Sequence, residues 1–246
     1  MKKILLIGLL ILTSACQPPS GSQSATPAPT RITPTVEPAT VIPTSIPAPT
    51  DTPTPPKRYF TEEFNAPPTY WSTLYASGDT SRVSILNEKG KLTFELYSLN
   101  AWVYAIYGAF EYESVHIETL VENHGSEINA MGLVCHYDEQ EGWYEFNISS
   151  DGSYNILYGQ WLADGIARYA PILNDTSERI KTGNAAHEIG LDCYENIVQF
   201  YINDKIIRKL DVARFGLTGG KVGLSLASFE EAPVILSFDW VKVDEP

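Results

Sequence analysis

Basic residues are scarce in this chain: 17 Lys and Arg stand against 30 Asp and Glu in 246 residues. A surface this negative repels phosphate backbones and excludes nucleic acid as a partner. It argues equally against direct binding to anionic lipid, and it suits neutral partners, cationic partners or calcium. Cysteine is rarer still, with three in all. Long apolar runs are missing. The longest, Ile4 to Leu12, falls well short of the about 20 residues that span a bilayer. No stretch carries a helical apolar pattern, and no internal repeat of fixed period is present. The chain also lacks a Ser-His-Asp signature, a nucleophile elbow, an H-E-x-x-H zinc motif and a phosphate-binding glycine loop, so those chemistries have no foothold.

What is present falls into three parts. Residues 1–16, "MKKILLIGLLILTSAC", pair a basic start with a short apolar run, small residues and a cysteine. This reads as a secretory signal, set apart from fold reasoning. "TSAC" resembles a bacterial lipobox, with Thr13 where Leu is usual and Leu12 one place further back. Cys16 is then the lipidated N-terminus, and the protein is exported and anchored to the outer face of the cell membrane. Ordinary signal cleavage near Ala15 is the alternative. Residues 17–57 hold 12 of the 17 prolines, mixed with Thr, Ser and Ala. Such a segment buries too little apolar surface to offset its ordering entropy. As polyproline II, at about 3.1 Å per residue, it is expected to act as a disordered linker reaching roughly 120 Å.

Residues 58–246 suit a single domain. They hold 13 of the bases and 28 of the acids, a net charge of −15. Period-two alternation recurs through them. "KLTFELYS" puts Leu92, Phe94 and Leu96 on one face, and "NIVQFYIN" puts Val198, Phe200 and Ile202 on one face. "GWYEFNIS" turns Tyr144, Phe146 and Ile148 inward and Trp143, Glu145 and Asn147 outward. Turn residues in "NEKGK", "SSDGS" and "LTGGK" punctuate these runs. Many short strands at this spacing predict an all-β, two-sheet antiparallel sandwich. "DVARFG" reads as one helical turn. Cys135 and Cys193 both lie on apolar phases, which suits a disulfide in an exported chain or two buried thiols.

Several stretches carry a resemblance. "YFTEEFNAPPTYW" looks like the opening strand of concanavalin-A-like jelly rolls. "GLVCHYDEQEGWYEFNISSDGSYNI" is similar to the central hairpin of laminin-G-like and 3-keto-disaccharide-hydrolase type domains. "LDCYENIVQFYINDKII", "GKVGLSLAS" and "FDWVKV" resemble their later strands. The resemblance implies a jelly-roll sandwich in which one sheet has a concave outer face. It also offers a place for a structural calcium ion tying the first and last strands, with Glu63 and Asp239 as the matching acids; two ordinary surface acids are the alternative. No other cofactor is required.

Catalysis has little to stand on in this pattern. Glycoside hydrolases need two carboxylates about 5–9.5 Å apart, and family 16 members set theirs on one strand in an E-x-D-x-x-E type run. This chain has no such run. Asp138, Glu139 and Glu141 read as a solvated hairpin tip. Glu118 and Glu145 are the remaining candidates. "SVHIETLVENH" places His116, Glu118, Leu120, Glu122 and His124 on one phase, where they could move protons, bind a metal or simply face water.

Binding has more. Trp143, Glu145 and Asn147 share an outward strand face, His136 lies across the turn, and Tyr194, Gln199, Tyr201 and Asn203 share a later outward phase. Trp102, Tyr104 and Trp161 are further candidates. Flat aromatics cover the apolar face of a sugar, while amides and carboxylates bind its hydroxyls. The expected function is non-catalytic carbohydrate binding. A glycoside or 3-keto-glycoside hydrolase and an envelope protein-adhesion domain are the alternatives.

Overall fold

A computed structural model of the protein describes residues 55–246; Cys16, where lipidation is expected, and most of the expected signal and linker segments lie outside the described residues. Two antiparallel sheets make up the domain. One runs β13 (Lys205–Asp211), β12 (Ile197–Ile202), β11 (Ala186–Tyr194), β6 (Ser114–Asn123), β15 (Val234–Asp244), β4 (Lys91–Leu96) and β3 (Val83–Glu88), with the short β1 (Phe60–Glu62) also paired to β15. The other runs β10 (Ile166–Thr176), β9 (Ser153–Ala163), β8 (Gly142–Ile148), β7 (Asn129–Asp138), β14 (Gly220–Ser228), β5 (Trp102–Tyr112) and β2 (Trp71–Ser77). Single 3₁₀ turns at Thr80–Arg82 and Ala213–Phe215 complete it.

The alternating residues explain the layers. Leu92, Phe94, Leu96, Phe146, Ile148, Val198, Phe200 and Ile202 all lie buried between the sheets. Phe146 on β8 meets Phe200 on β12 at 4.6 Å between ring centres. Cys135 on β7 and Cys193 on β11 form a disulfide with Cα atoms 6.4 Å apart, tying one sheet to the other. With the two cysteines 58 positions apart in sequence, the loop-closure argument assigns the bridge about 4 kcal/mol.

A second apolar cluster lies on the outer face of the seven-stranded sheet. Tyr104, Ile106, Val134, Tyr137 and Trp143 are buried there, with Trp102, Trp161 and Tyr169 packed against them. Its geometry reveals how far this sheet bends. Tyr169 belongs to β10 and Trp102 to β5, with four strands between them. At about 4.8 Å per strand a flat sheet would hold them about 24 Å apart, yet their rings stack at 4.4 Å. The sheet is rolled around its own aromatic side chains.

Candidate functional site

Glu145 sits at the centre of the roll. Alternation along β8 turns Tyr144 and Phe146 between the sheets and Trp143, Glu145 and Asn147 into the roll. All three are 0% exposed. The outward phase is as expected, but the side chains meet other strands rather than water. Trp143 fits because Gly159, its cross-strand partner on β9, has no side chain. A β carbon there would lie 2.2 Å from the indole.

Five donors surround the Glu145 carboxylate. Oε1 accepts from Trp102 Nε1 at 3.1 Å, from Asn147 Nδ2 at 2.7 Å and from the Ser225 hydroxyl. Oε2 accepts from Tyr104 OH at 2.9 Å and Trp143 Nε1 at 3.0 Å. Burial, and then the nearby Glu145 charge, push Tyr104 well above the usual phenol range, so it stays a donor. Tyr169 completes the chain, its hydroxyl 2.8 Å from that of Tyr104. No Lys or Arg is among these partners. Neutral hydrogen bonds replace the water a buried charge would otherwise need. Every lone pair aimed into the roll is taken, which leaves the carboxylate no open position for acid–base work.

The roll opens at both ends. Near the β7–β8 tip, a hollow is lined by Leu74, Tyr75, Tyr137, Glu139, Trp161 and Asp164. Trp161, half-buried, donates from Nε1 to Tyr137 OH at 2.9 Å. At the far end of the same strands, Asn129, Asn147, Asn155 and Phe229 line a second hollow.

The outer face of the eight-stranded sheet is differently made. His116 on β6 bonds through Nδ1 to Asp192 on β11 at 2.5 Å, and its Nε2 lies 3.7 Å from Glu118. Gln199 donates to Asp192 at 3.2 Å, and Tyr201 also donates to it. Burial opposes a charge on His116, but the bonds to Asp192 and Glu118 outweigh it and raise the group to about 9. Beside it, carboxylate oxygens of Glu118, Glu188 and Asp204 lie within 4.8 Å of one another. Burial and the neighbouring Glu118 push Glu188 up to about 7.

No family model matches the chain, and no curated protein matches it. Solved structures do. A β-glucanase from Bacillus licheniformis superposes with a TM-score of 0.54 at 14% identity, covering 76% of this chain and 98% of that one. A glycoside hydrolase family 16 protein from Bacteroides ovatus, solved with a G4G4G3G product, gives 0.53 at 14%, covering 75% and 99%. The laminarinase catalytic domain of Thermotoga maritima gives 0.52 at 13%, covering 76% and 97%. The fold is a concanavalin-A-like jelly roll. At such identities the likeness concerns the fold and not its chemistry.

Within the jelly roll, the residues singled out in the sequence separate into groups. Trp102, Trp143, Glu145, Asn147 and Trp161 converge in the roll, as does Tyr104. Tyr201 does not: it lies on the outer face of the other sheet. His136 does not face the roll either. A β-bulge between Cys135 and Asp138 breaks the alternation, and His136 takes φ +49°. Its ring turns toward Tyr144, buried, with neither nitrogen well hydrogen-bonded. Burial lowers it to about 4. Glu118 and Glu145 occupy the outer faces of opposite sheets. Since packed sheets alone stand about 10 Å apart, these two cannot form a glycosidase pair.

Glu63 and Asp239 line one hollow, as the calcium expectation requires, but Lys89, Lys91 and Lys242 line it too. Lys91 Nζ lies 2.8 Å from Asp239, and Glu63 accepts from Asn65. The Lys91 ammonium already occupies Asp239, and three lysines at the hollow oppose a divalent cation, so the donor set is a poor fit for calcium. The sequence reading missed Ser225, Tyr169 and Asn155. Ser225 and Asn155 had a signal, since each lies on the polar phase of an alternating strand.

Proposed function

We propose that this protein binds carbohydrate without cleaving it, through the open ends of its rolled sheet. The observation that carries this reading is the saturated Glu145 carboxylate. It stands at the centre of the concave sheet, holds five donors, and has no acid among its partners. The hollow at Trp161 supplies what sugars take: half-exposed aromatic faces flanked by the acids Glu139 and Asp164. That structural neighbours include glucanases, one solved with a glucan product, agrees with a glycan partner.

A glycan array probed with the protein tests this reading, with ligands recovered and weighed afterwards. A defined class of glycan is expected to bind, to weaken on Trp161→Ala, and to return intact. Shortened products would make the protein a hydrolase. Silence would shift the weight to protein adhesion, for which the exposed Leu162 (62%) and Ile166 (56%) beside the β9–β10 turn offer an apolar tip.

The "TSAC" motif supports export and lipid anchoring through Cys16, with the proline-rich segment as a spacer. Acyl labelling of cells expressing the protein checks this; label retained after Cys16→Ser would contradict it.

A further inference from the structure

The hollow at the far end of the roll from Trp161 carries an unspent hydrogen-bonding group. Asn147 is wholly buried. Its Nδ2 donates to Glu145 Oε1 at 2.7 Å and to Asn155 Oδ1 at 3.2 Å. Its Oδ1 has no partner. An unsatisfied buried acceptor costs about 1–3 kcal/mol. The chain makes room for that oxygen: a β carbon on Gly132 would lie 2.2 Å from it. Asn155, half-exposed, is the cross-strand partner of Asn147. Its own side-chain nitrogen has no partner among the described residues. Phe229 lines the same hollow and meets Trp102 edge-on at 5.8 Å. Asn147, Asn155 and Phe229 therefore line one space of about 280 Å³. Trp102, which Phe229 meets edge-on, is in turn stacked on Tyr169.

We propose that this hollow is a subsite for the terminal unit of an uncharged glycan chain. The proposal rests on the carbohydrate-binding reading and specifies how the ligand is held. One ring hydroxyl donates to Asn147 Oδ1. A neighbouring oxygen accepts from Asn155 Nδ2. The C–H face of the sugar lies on Phe229. Asp151, at the same hollow, and Glu145 behind it disfavour an anionic sugar. The Trp102–Tyr169 stack makes the site end-reading: a polymer cannot thread past it, so only a chain end fills the hollow.

The test is calorimetric titration of the whole protein with cellotetraose, mannotetraose, xylotetraose and chitotetraose, and with the matching free monosaccharides. At least one tetraose is expected to bind and its monosaccharide to compete. Asn155→Ala should weaken binding about tenfold or more. Asn155 is half-exposed, so the variant should fold, which its melting temperature checks; Ser153→Ala, at the same hollow, provides a second variant. Binding lost on Trp161→Ala but unchanged in both of these variants would overturn the subsite and leave carbohydrate binding standing. Affinity that grows with chain length, with no competition by the monosaccharide, would overturn end recognition. No binding to any of these sugars, or to the array, would overturn both.

Discussion

Glu145 and Asp192 are both buried carboxylates, one on the outer face of each sheet, and they are satisfied in opposite ways. Glu145 is 0% exposed and held by neutral donors from β5, β8 and β14. Asp192 is 5% exposed and takes a histidine as its first partner, with Gln199 and Tyr201 beside it. A carboxylate paired with a histidine sits beside a group whose charge depends on pH. One enclosed by indoles, a phenol, an amide and a hydroxyl is part of the packing. The concave face, where a groove would be looked for, is thus the more rigidly committed of the two.

The comparison breaks first at Glu145. Glu145→Leu removes the acceptor of five donors and should cost at least about 4 kcal/mol, or the folded state itself. Asp192→Asn keeps an acceptor for His116 and should cost about 1–2 kcal/mol. Urea unfolding of both variants checks this, and equal losses would erase the distinction.

The next effect separates two histidines by pH. His136 has its folded value lowered to about 4 from an ordinary 6.5. Its neutral form is the one that fits, so stability is full above pH 6.5 and drains as pH falls toward 4. The full drain is on the order of 3 kcal/mol. His116 has its value raised to about 9. Its contribution is full below pH 6.5 and is lost as pH rises through 9. Glu188, raised to about 7, works the same way: what it contributes below pH 4.5 is lost as pH rises through 7. His136→Asn, which tolerates the positive φ, should flatten the acid limb alone. His116→Asn should flatten the alkaline limb alone. Unfolding midpoints between pH 4 and 9 show whether the limbs separate.

The smallest effect concerns the hollow at Glu63 and Asp239. Melting curves with calcium and with chelator are expected to coincide, because Lys91 already pairs with Asp239. A calcium-dependent rise would show that the lysines give way.

Much of this architecture was legible in the sequence. The alternation at Leu92, Phe94 and Leu96, at Phe146, and at Val198, Phe200 and Ile202 named the inter-sheet core because a strand has only two faces. The turn at "DEQE" is a hairpin tip in which Asp138 accepts from Gln140 N and Glu141 N. What alternation cannot express is curvature. Trp143 on a flat sheet and Trp143 in a roll have the same phase, and only the stacking of Tyr169 on Trp102 distinguishes them. His136 escaped for another reason: a bulge resets the period, and "CHYD" carries no glycine to announce one. Tyr201 and Trp143 share an outward phase but not a sheet, a matter of pairing order that local pattern does not hold.

The measurement that bears most directly on this account is recovery of array-bound glycans by mass spectrometry after long incubation with the protein and with Glu145→Gln. A defined glycan class is expected to be bound by the native protein and recovered at its original mass. Shortened glycans from the native protein, and none from Glu145→Gln, would contradict it and make Glu145 a catalytic acid.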